Sequence, residues 1–201
     1  MSDNVNEMLG RMAVASLHKC VEKLSKVSAG VWSVAGYDVS TGTLGEAMKR
    51  RGPDDGEALA VYFEVKGELP FVAITLFDPR DIGRISRCFL GYSFFVSTVL
   101  NQTGELLLSE LSSIILNSFV GAFSNNLKQV FMPSASRLLR GKPQGLLDAV
   151  GAVIDVTQRF HIISIKLDVQ CDAEVTRSEV LGLIPEKLAL ALKIDEKDQS
   201  L

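Results

Sequence analysis

The stretch SELSSIILNSFVGAFSNN, residues 109–126, is apolar over several helical turns, yet it contains Glu110 and Asn117 and ends in two asparagines. Its length and character predict a long helix, which we expect to begin near Glu105 and to end at about Lys128. Three interpretations are open for such a segment. It is a core helix with stray polar residues, a membrane span, or a helix that carries chemistry on one face.

The membrane interpretation rests on residues 106–123, which reach the ~18 residues that a spanning helix needs. Glu110 and Asn117 lie within this segment, together with serines at positions 109, 112, 113 and 118. A carboxylate near the middle of a bilayer costs about 2.5 kcal/mol or more. The sequence therefore predicts no membrane span.

The composition limits the classes of function. The chain has 201 residues, 47% of them hydrophobic, which is enough for one large domain or two small ones with a substantial core. Its formal net charge of −3 provides no broad positive field for phosphate backbones. General nucleic-acid binding is therefore not expected.

The cysteines and the N-terminus indicate the compartment. Cys20, Cys88 and Cys171 are odd in number, lie far apart in the sequence and form no CxxC motif, which argues against a disulfide framework and a structural zinc site. The first residues, MSDNVNEMLGRM, lack the basic start and the continuous apolar core of a signal peptide. We therefore expect a cytoplasmic protein.

The first half of the chain begins with a predicted helix over residues 3–26, where apolar residues recur at three- and four-residue steps. A strand, AGVWSVAGYDV, follows. The next segment, TLGEAMKRR, predicts a short helix in which Thr43 is the N-cap and Glu46 its capping-box partner.

Two apolar runs of strand character, ALAVYFEVKG and PFVAITLF, come next and are joined by a polar bend, which predicts an antiparallel pair. The segment DPRDIGRISRCFLG then predicts a helix. Asp78 is its expected N-cap, Pro79 lies in its first turn, and Gly91 is placed where such a helix ends.

In the second half, VFMPSAS is predicted to be extended and GKPQGLLDAV to be a loop with a short helix. Three strands are predicted at GAVIDVT, HIISIKLDVQ and EVLGLI. The segment PEKLALALKI predicts the closing helix, with Pro185 in its first turn.

The two halves repeat the same order of elements. Pro79 aligns with Pro185 at an offset of 106 residues, and Glu7 aligns with Glu110 at an offset of 103 residues. We therefore expect an internally duplicated α+β fold in which an antiparallel sheet packs against two long helices. The chain would be one domain, residues 1–201, with pseudo-repeats 1–100 and 101–201. A chance match of element order is the alternative.

Common catalytic motifs are missing from the sequence. His18 and His161 are the only histidines and lie in unrelated contexts, so no metal-ligand cluster is expected. No GxSxG, GxGxxG or GxxxxGK[ST] motif occurs, which removes the usual nucleotide cradles and the serine nucleophile elbow. A Ser/His/Asp or Cys/His hydrolase with another local sequence remains open.

The polar residues of the long helix share one face. At about 100° per residue, Glu110 and Asn117 return to within about 20° of each other, and Ser113 lies about 60° from Glu110. The simplest interpretation is a narrow solvent-exposed stripe on an amphipathic helix. The alternative is a functional face.

The segment ELSSIILNSFVGAFS resembles the active helix of the CheC/CheX/FliY family of response-regulator phosphatases. In that family the pattern is Glu, two residues, Asn, and then a run of small residues that ends in Ala-Leu-Ser. Glu110 matches the Glu, and residues 122–124 (Ala-Phe-Ser) match the ending. The segments PFVAITLFDPRDIGRISRCFLG and EVLGLIPEKLALAL resemble the family's strand–helix units, so the resemblance covers nearly the whole chain.

The resemblance implies a CheC-like fold and a site on each long helix, with Glu7 as the first copy's glutamate. It implies that the target is the aspartyl phosphate of a CheY-type regulator, which brings its own Mg²⁺, so this chain binds no cofactor. The family's Asn orients the attacking water, and its Glu engages a regulator lysine. Here the Asn positions hold Gly10 and Ser113.

These departures predict altered chemistry. Glycine has no amide, and the shorter serine holds a water less well and farther back. Asn117 shares the face of Glu110 but stands about 10.5 Å along the axis, against about 4.5 Å for a three-residue spacing. The first site is therefore expected to be inactive and the second to be impaired or altered.

The leading hypothesis is a CheC-like signalling protein that binds a phosphorylated CheY-type regulator and hydrolyses its phosphate weakly or not at all. A CheD-like deamidase is a further candidate partner. The alternative is a non-catalytic scaffold like the middle domain of the flagellar-switch protein FliM, and a small-molecule-binding α+β domain also remains open. The candidate site residues are Glu110, Asn117, Ser113 and Glu7.

Overall fold

The computed structural model describes residues 2–50, 56–91, 101–155 and 157–198. Within these ranges lie six helices: α1 (Ser2–Val27), α2 (Leu44–Arg50), α3 (Ile82–Leu90), α4 (Gln102–Leu127), α5 (Pro143–Gly151) and α6 (Glu186–Asp198). The same ranges contain seven strands: β1 (Val31–Gly42), β2 (Ala58–Lys66), β3 (Phe71–Phe77), β4 (Met132–Pro133), β5 (Arg137–Gly141), β6 (Phe160–Cys171) and β7 (Glu174–Pro185).

The strands form one antiparallel sheet in the order β1-β6-β7-β3-β2, and both β4 and β5 pair with the outer edge of β2. Helices α1, α3, α4 and α6 pack on one face of the sheet. Helices α2 and α5 pack on the other face. The fold is therefore α+β, as predicted, with the sheet between two layers of helices.

The central strands are buried on both faces. In β2, Leu59, Val61 and Phe63 belong to the core under the long helices, while Ala60 and Tyr62 belong to the core under the short ones. A strand covered on both sides needs apolar residues at successive positions, which explains its near-continuous apolar sequence. The predicted antiparallel pairing of β2 with β3 is confirmed.

Helix α4 lies over the middle of the sheet with eleven of its residues buried. The ring of Phe119 rests on Gly182 of β7, where the Cε1 atom would lie 2.8 Å from a Cβ atom added to the glycine. Within the described part of the chain, α4 is the one helix long and apolar enough to cross a membrane by length and composition. Its contact with the sheet accounts for that apolar character.

The two long helices pack against each other. Ser16 of α1 donates from Oγ to the carbonyl oxygen of Ser118 at 2.6 Å, and Ser118 donates in return to the carbonyl of Ser16 at 3.2 Å. The Sγ atom of Cys20 lies 3.8 Å from the carbonyl oxygen of Ile114. Moving up α1 thus moves down α4, so the helices are antiparallel and close enough for side chains to reach the opposite backbone.

Several predicted helix signals are confirmed. The backbone N–H of Thr43 donates to Glu46 at 2.8 Å, and the N–H of Glu46 donates to the Thr43 hydroxyl at 3.2 Å, which completes the capping box. Asp78 accepts from the N–H of Arg80 at 2.8 Å and caps the short 3₁₀ helix Pro79–Asp81, which leads into α3. Gly91 ends α3 with a left-handed φ of 83°, a conformation that glycine adopts without strain.

Other boundaries differ from the prediction. The segment GAVIDVT is not a strand: Gly151 ends α5, turns follow, and Val156 lies outside the described residues. The Asp155 carboxylate accepts from both the N–H and the hydroxyl of Thr157, which stabilises a turn there. The sequence also missed β5. Helix α4 begins earlier than expected, because Asn101 caps it by accepting from the N–H of Gly104.

The elements are arranged with a twofold character. The strands from β1 to β5 lie in the order β1-β6-β7-β3-β2-β5. Exchanging β1 with β5, β6 with β2, and β7 with β3 gives the same order read from the other edge of the sheet. Each long helix precedes the strands of its own half of the chain. This arrangement is compatible with the expected duplication, which stays a prediction, as do the pseudo-repeat boundaries.

The contact between Phe119 and Gly182 provides a test of the packing. We expect Gly182→Ala to lower the free energy of unfolding by about 1–3 kcal/mol, because the new methyl group overlaps the ring. Gly121→Ala is the control, since a Cβ at Gly121 meets nothing within 4 Å and alanine favours a helix by about 1 kcal/mol. Urea denaturation measures both. Equal effects of the two substitutions on the free energy of unfolding would show that the Phe119 ring moves aside.

Candidate functional site

The outer face of α4 carries the second candidate site. Glu110 and Asn117 are exposed, and Ser113 is half-buried between them. Leu106 is 60% exposed and Ile114 is 42% exposed on the same side of the helix. The face therefore presents one carboxylate and one amide between apolar side chains, and we call these five residues the α4 face.

Glu110 is available for binding. The described part of the chain provides neither a hydrogen bond nor an ion pair to its carboxylate. A carboxylate that is solvated and unpaired can engage a cation on another protein without first breaking an internal contact. This placement agrees with the role that the resemblance implies for Glu110.

Ser113 is less suited to hold a water. Its hydroxyl donates to the carbonyl oxygen of Ser109 at 2.7 Å, one turn back along α4. The single proton of the hydroxyl is thereby used, so Ser113 can accept a hydrogen bond from a water but has no second donor to orient it. An asparagine amide carries two donors and an acceptor.

Asn117 is exposed, and its side chain makes no hydrogen bond within the described residues. Its amide faces solvent two turns beyond Glu110, about 10.5 Å along the helix axis. Glu110 and Asn117 therefore share a face, as predicted, without forming one compact site.

The first candidate site, on α1, differs in two ways. Glu7 is exposed, but its carboxylate lies 3.7 Å from the Nη1 atom of Arg11. Gly10 is buried beneath Tyr37 of β1, whose Cε2 atom would lie 2.6 Å from a Cβ on the glycine. The position at which the family places its asparagine is thus closed by a tyrosine ring.

The two candidate sites are far apart. Ser16 and Ser118 meet at the same level of the antiparallel helix pair. Glu7 lies nine residues before Ser16, and Glu110 lies eight residues before Ser118. Because the helices are antiparallel, the two glutamates lie towards opposite ends of the pair. At 1.5 Å per residue the two glutamates are separated by about 25 Å, so they cannot act on one phosphoryl group.

A network that the sequence did not reveal fixes the start of α1. The buried imidazole of His161 lies 2.7 Å from Oδ1 of Asn6 and 2.7 Å from Oε2 of Glu186. Because a carboxylate only accepts, the Nε2 atom of His161 donates to Glu186. The chain of contacts ties α1 to β6 and to the first turn of α6.

A groove of about 480 Å³ lies between α1, the end of α4 and α6, and is lined in part by Met8, Arg11, Lys19, Asn125 and Leu192. Sequence reasoning missed it, because its lining comes from three separate helices. The apolar members of the α4 face were also missed. Their spacing of four residues on either side of Glu110 was the signal that could have found them.

The site has no metal-binding set of its own in the part of the chain that the structure describes. There, no three His, Cys, Asp or Glu side chains come together. Burial raises the pKa of the Cys20 thiol under the long helices, so this side chain stays neutral in the core. Cys20 is therefore a packing residue of the core.

Comparison with solved structures identifies the architecture. FliY from Thermotoga maritima matches with a TM-score of 0.72 and 12% identity, over 97% of this chain and 96% of that chain. A chain of the FliM–SpeE complex from H. pylori matches with a TM-score of 0.67 and 12% identity, over 98% of each chain. The chain has the CheC/FliY/FliM fold.

The CheX protein from Desulfovibrio desulfuricans shares the CheC/FliY/FliM fold with a TM-score of 0.54 and 11% identity, over 88% of this chain and 99% of that chain. Neither a family model nor a curated protein matches the sequence. At these identities the comparisons establish the fold alone. The predicted fold class is confirmed, whereas the site residues remain predictions.

Placing an asparagine at Gly10 and at Ser113, the two positions where the family carries one, tests whether the first site is closed. We expect Gly10→Asn to lower the free energy of unfolding by about 1–3 kcal/mol, because the side chain collides with Tyr37. Ser113→Asn, on the accessible face, should change it by less than about 0.5 kcal/mol. Thermal and urea denaturation measure both variants.

Adding Tyr37→Ala to Gly10→Asn should recover part of the lost stability, because it removes the ring that occupies the site. Equal stability of Gly10→Asn and Ser113→Asn would contradict the proposed closure of the first site.

Proposed function

We propose that the chain binds a phosphorylated CheY-type response regulator through the α4 face, with Glu110 as the central contact, and that it hydrolyses the aspartyl phosphate weakly or not at all. The observation that carries this proposal is the exposed carboxylate of Glu110, which lies between Leu106 and Ile114 and has no partner among the described residues. The process would be chemotaxis or a related two-component pathway in the cytoplasm.

The chemistry of the α4 face supports docking. An exposed carboxylate attracts a lysine, and the flanking apolar side chains provide area whose burial stabilises a complex. Scattered exposed apolar residues are ordinary on a protein surface. Here two of them lie one turn above and one turn below the same carboxylate, and the side chain of Glu110 lies between them.

The same geometry argues for slow hydrolysis. Efficient attack needs a water held in line with the phosphorus, and a misplacement of about 1 Å costs about 100-fold in rate. Ser113 uses its proton on Ser109, and Asn117 stands two turns away from Glu110. In this proposal the regulator supplies the Mg²⁺, and the chain supplies Glu110.

A second candidate is a non-catalytic scaffold of the flagellar-switch type. It is suggested by the similarity to chains of the FliM complexes, with TM-scores of 0.67 and 0.65. Structures of FliM with FliG and with SpeE exist, so a protein partner of that kind, or a CheD-like deamidase, would take the regulator's place.

Binding to a phosphorylated CheY-type regulator, with Mg²⁺ present, tests the first candidate. A hydrogen bond to a charged group contributes about 1.5–3 kcal/mol, so Glu110→Ala should raise the Kd by about 10- to 100-fold. Glu105→Ala is the matched control, because Glu105 is exposed on the same helix but lies about 140° around it. Isothermal titration calorimetry measures both.

No binding of the phosphorylated regulator by the wild-type chain, or equal losses in Glu110→Ala and Glu105→Ala, would contradict the regulator proposal. Binding to a FliG-type protein instead would favour the scaffold.

Phosphate release distinguishes binding from catalysis. We expect wild type to accelerate release little, and Ser113→Asn to raise the rate by about 10-fold or more, because it restores an amide three residues after Glu110. Asn117→Ala should leave the rate unchanged if Asn117 is too far from the phosphoryl group. A fast wild-type enzyme that Asn117→Ala inactivates would show that Asn117 orients the water.

A further inference from the structure

Two of the three cysteines come together where the end of α3 meets the end of β6. Cys88 lies in the last turn of α3 and is 2% exposed. Cys171 is the last residue of β6 and is partly exposed. They are separated by 83 positions in the sequence, which is why the sequence alone did not bring them together.

Backbone geometry places the two side chains beside each other. A Cβ atom on Gly30 would lie 2.9 Å from Cβ of Cys88 and 2.7 Å from Cγ2 of Val169, so these two side chains are neighbours. Cys171 is two residues beyond Val169 in β6, and side chains two apart in a strand point to the same face. Cys171 also packs on the core that contains Cys88.

Two ion pairs hold α3 against the turn that joins β6 to β7. Arg87 Nη2 lies 2.8 Å from Asp172 Oδ2, one position from each cysteine. Arg84 Nε lies 2.9 Å from Glu174 Oε2 on the far side of the turn. Both pairs are exposed and contribute little stability alone, but they fix the register of α3 on the hairpin.

The thiols differ in their surroundings. Burial, followed by the charge of the neighbouring Cys171, raises the pKa of the Cys88 thiol. Cys171 is partly exposed, so it is the member of the pair that solvent reaches, whereas Cys88 is buried. Reactive cysteines combine access to solvent with thiolate character.

We propose that Cys88 and Cys171 are a redox modification site that closes into a reversible intramolecular disulfide when the protein meets a peroxide. The Cys171 thiolate attacks one oxygen of hydrogen peroxide, the O–O bond breaks, and Cys171 becomes a sulfenic acid while hydroxide leaves. The sulfur of Cys88 then attacks the Cys171 sulfur, and its proton leaves with the sulfenic hydroxyl as water. Hydrogen peroxide is reduced and the two thiols are oxidised.

The order of the two steps follows from the surroundings of the pair. Cys171 is partly exposed and meets the peroxide first, whereas Cys88 is buried and acts second. Cys88 is available for the second step because it lies beside Val169 on the face of β6 that also carries Cys171. A dithiol such as dithiothreitol reverses the reaction by thiol–disulfide exchange.

Closure would tie α3 to the β6–β7 turn. The bond would span a long loop, and a cross-link that closes a long loop restricts the unfolded chain strongly. The oxidised protein is therefore expected to melt at a higher temperature than the reduced protein.

The test treats the full chain with hydrogen peroxide and follows the free thiols and the peptides after digestion without reductant. The reduced protein has three free cysteines, and we expect one to remain, together with a peptide in which Cys88 is linked to Cys171. Dithiothreitol should restore all three. Cys20→Ser, which changes the one cysteine outside the pair, should form the same link at the same rate.

Cys171→Ser should abolish the link and the rise in melting temperature, and it should leave Cys88 unreacted. Replacing the partly exposed Cys171 leaves the buried Cys88 in place, so the fold is retained. Oxidation of Cys171 to a sulfinic acid without a cross-linked peptide would overturn the proposal. So would a pairing that includes Cys20, or a disulfide between two chains.

Discussion

The close packing of α4, with the sheet beneath it and α1 beside it, is the constraint on which the rest of the structure depends. Phe119 can reach the sheet because position 182 in β7 is a glycine. The neighbouring helix can approach because Ser16 and Ser118 are small, and each hydroxyl donates to the opposite backbone. These contacts leave α4 with one narrow strip that faces solvent, and every candidate residue of the second site lies on that strip.

The same packing separates the two candidate sites chemically. On α4 the strip lies away from both the sheet and α1, so Glu110 stays accessible. On α1 the corresponding glycine is turned towards β1, where Tyr37 covers it, and Glu7 is paired with Arg11. A fold with twofold character thus presents two unequal surfaces. The inequality arises from side chains outside the helices as much as from the residues of the motif itself.

The agreement between sequence and structure is best where short-range chemistry determines the outcome. The capping box at Thr43 and the cap at Asp78 were predictable, because their donors and acceptors are within three residues of each other. β5 was missed because its residues gain strand structure only by pairing with β2. The segment after Gly151 has apolar residues typical of a strand, but the turn at Asp155 prevents it from extending. Glu110 was predictable from the motif, whereas the Tyr37 ring over Gly10 was not.

By itself, the sequence determined the helix signals, the paired central strands, the α+β class and the position of Glu110 on one face of a long helix, because these depend on periodicity and on contacts between near neighbours. Only the tertiary structure decided which positions are open. It closed Gly10 beneath Tyr37, directed the Ser113 hydroxyl to Ser109, and brought Cys88 and Cys171 together across 83 positions. Such long-range contacts arise from how whole elements pack, and local sequence patterns do not encode them.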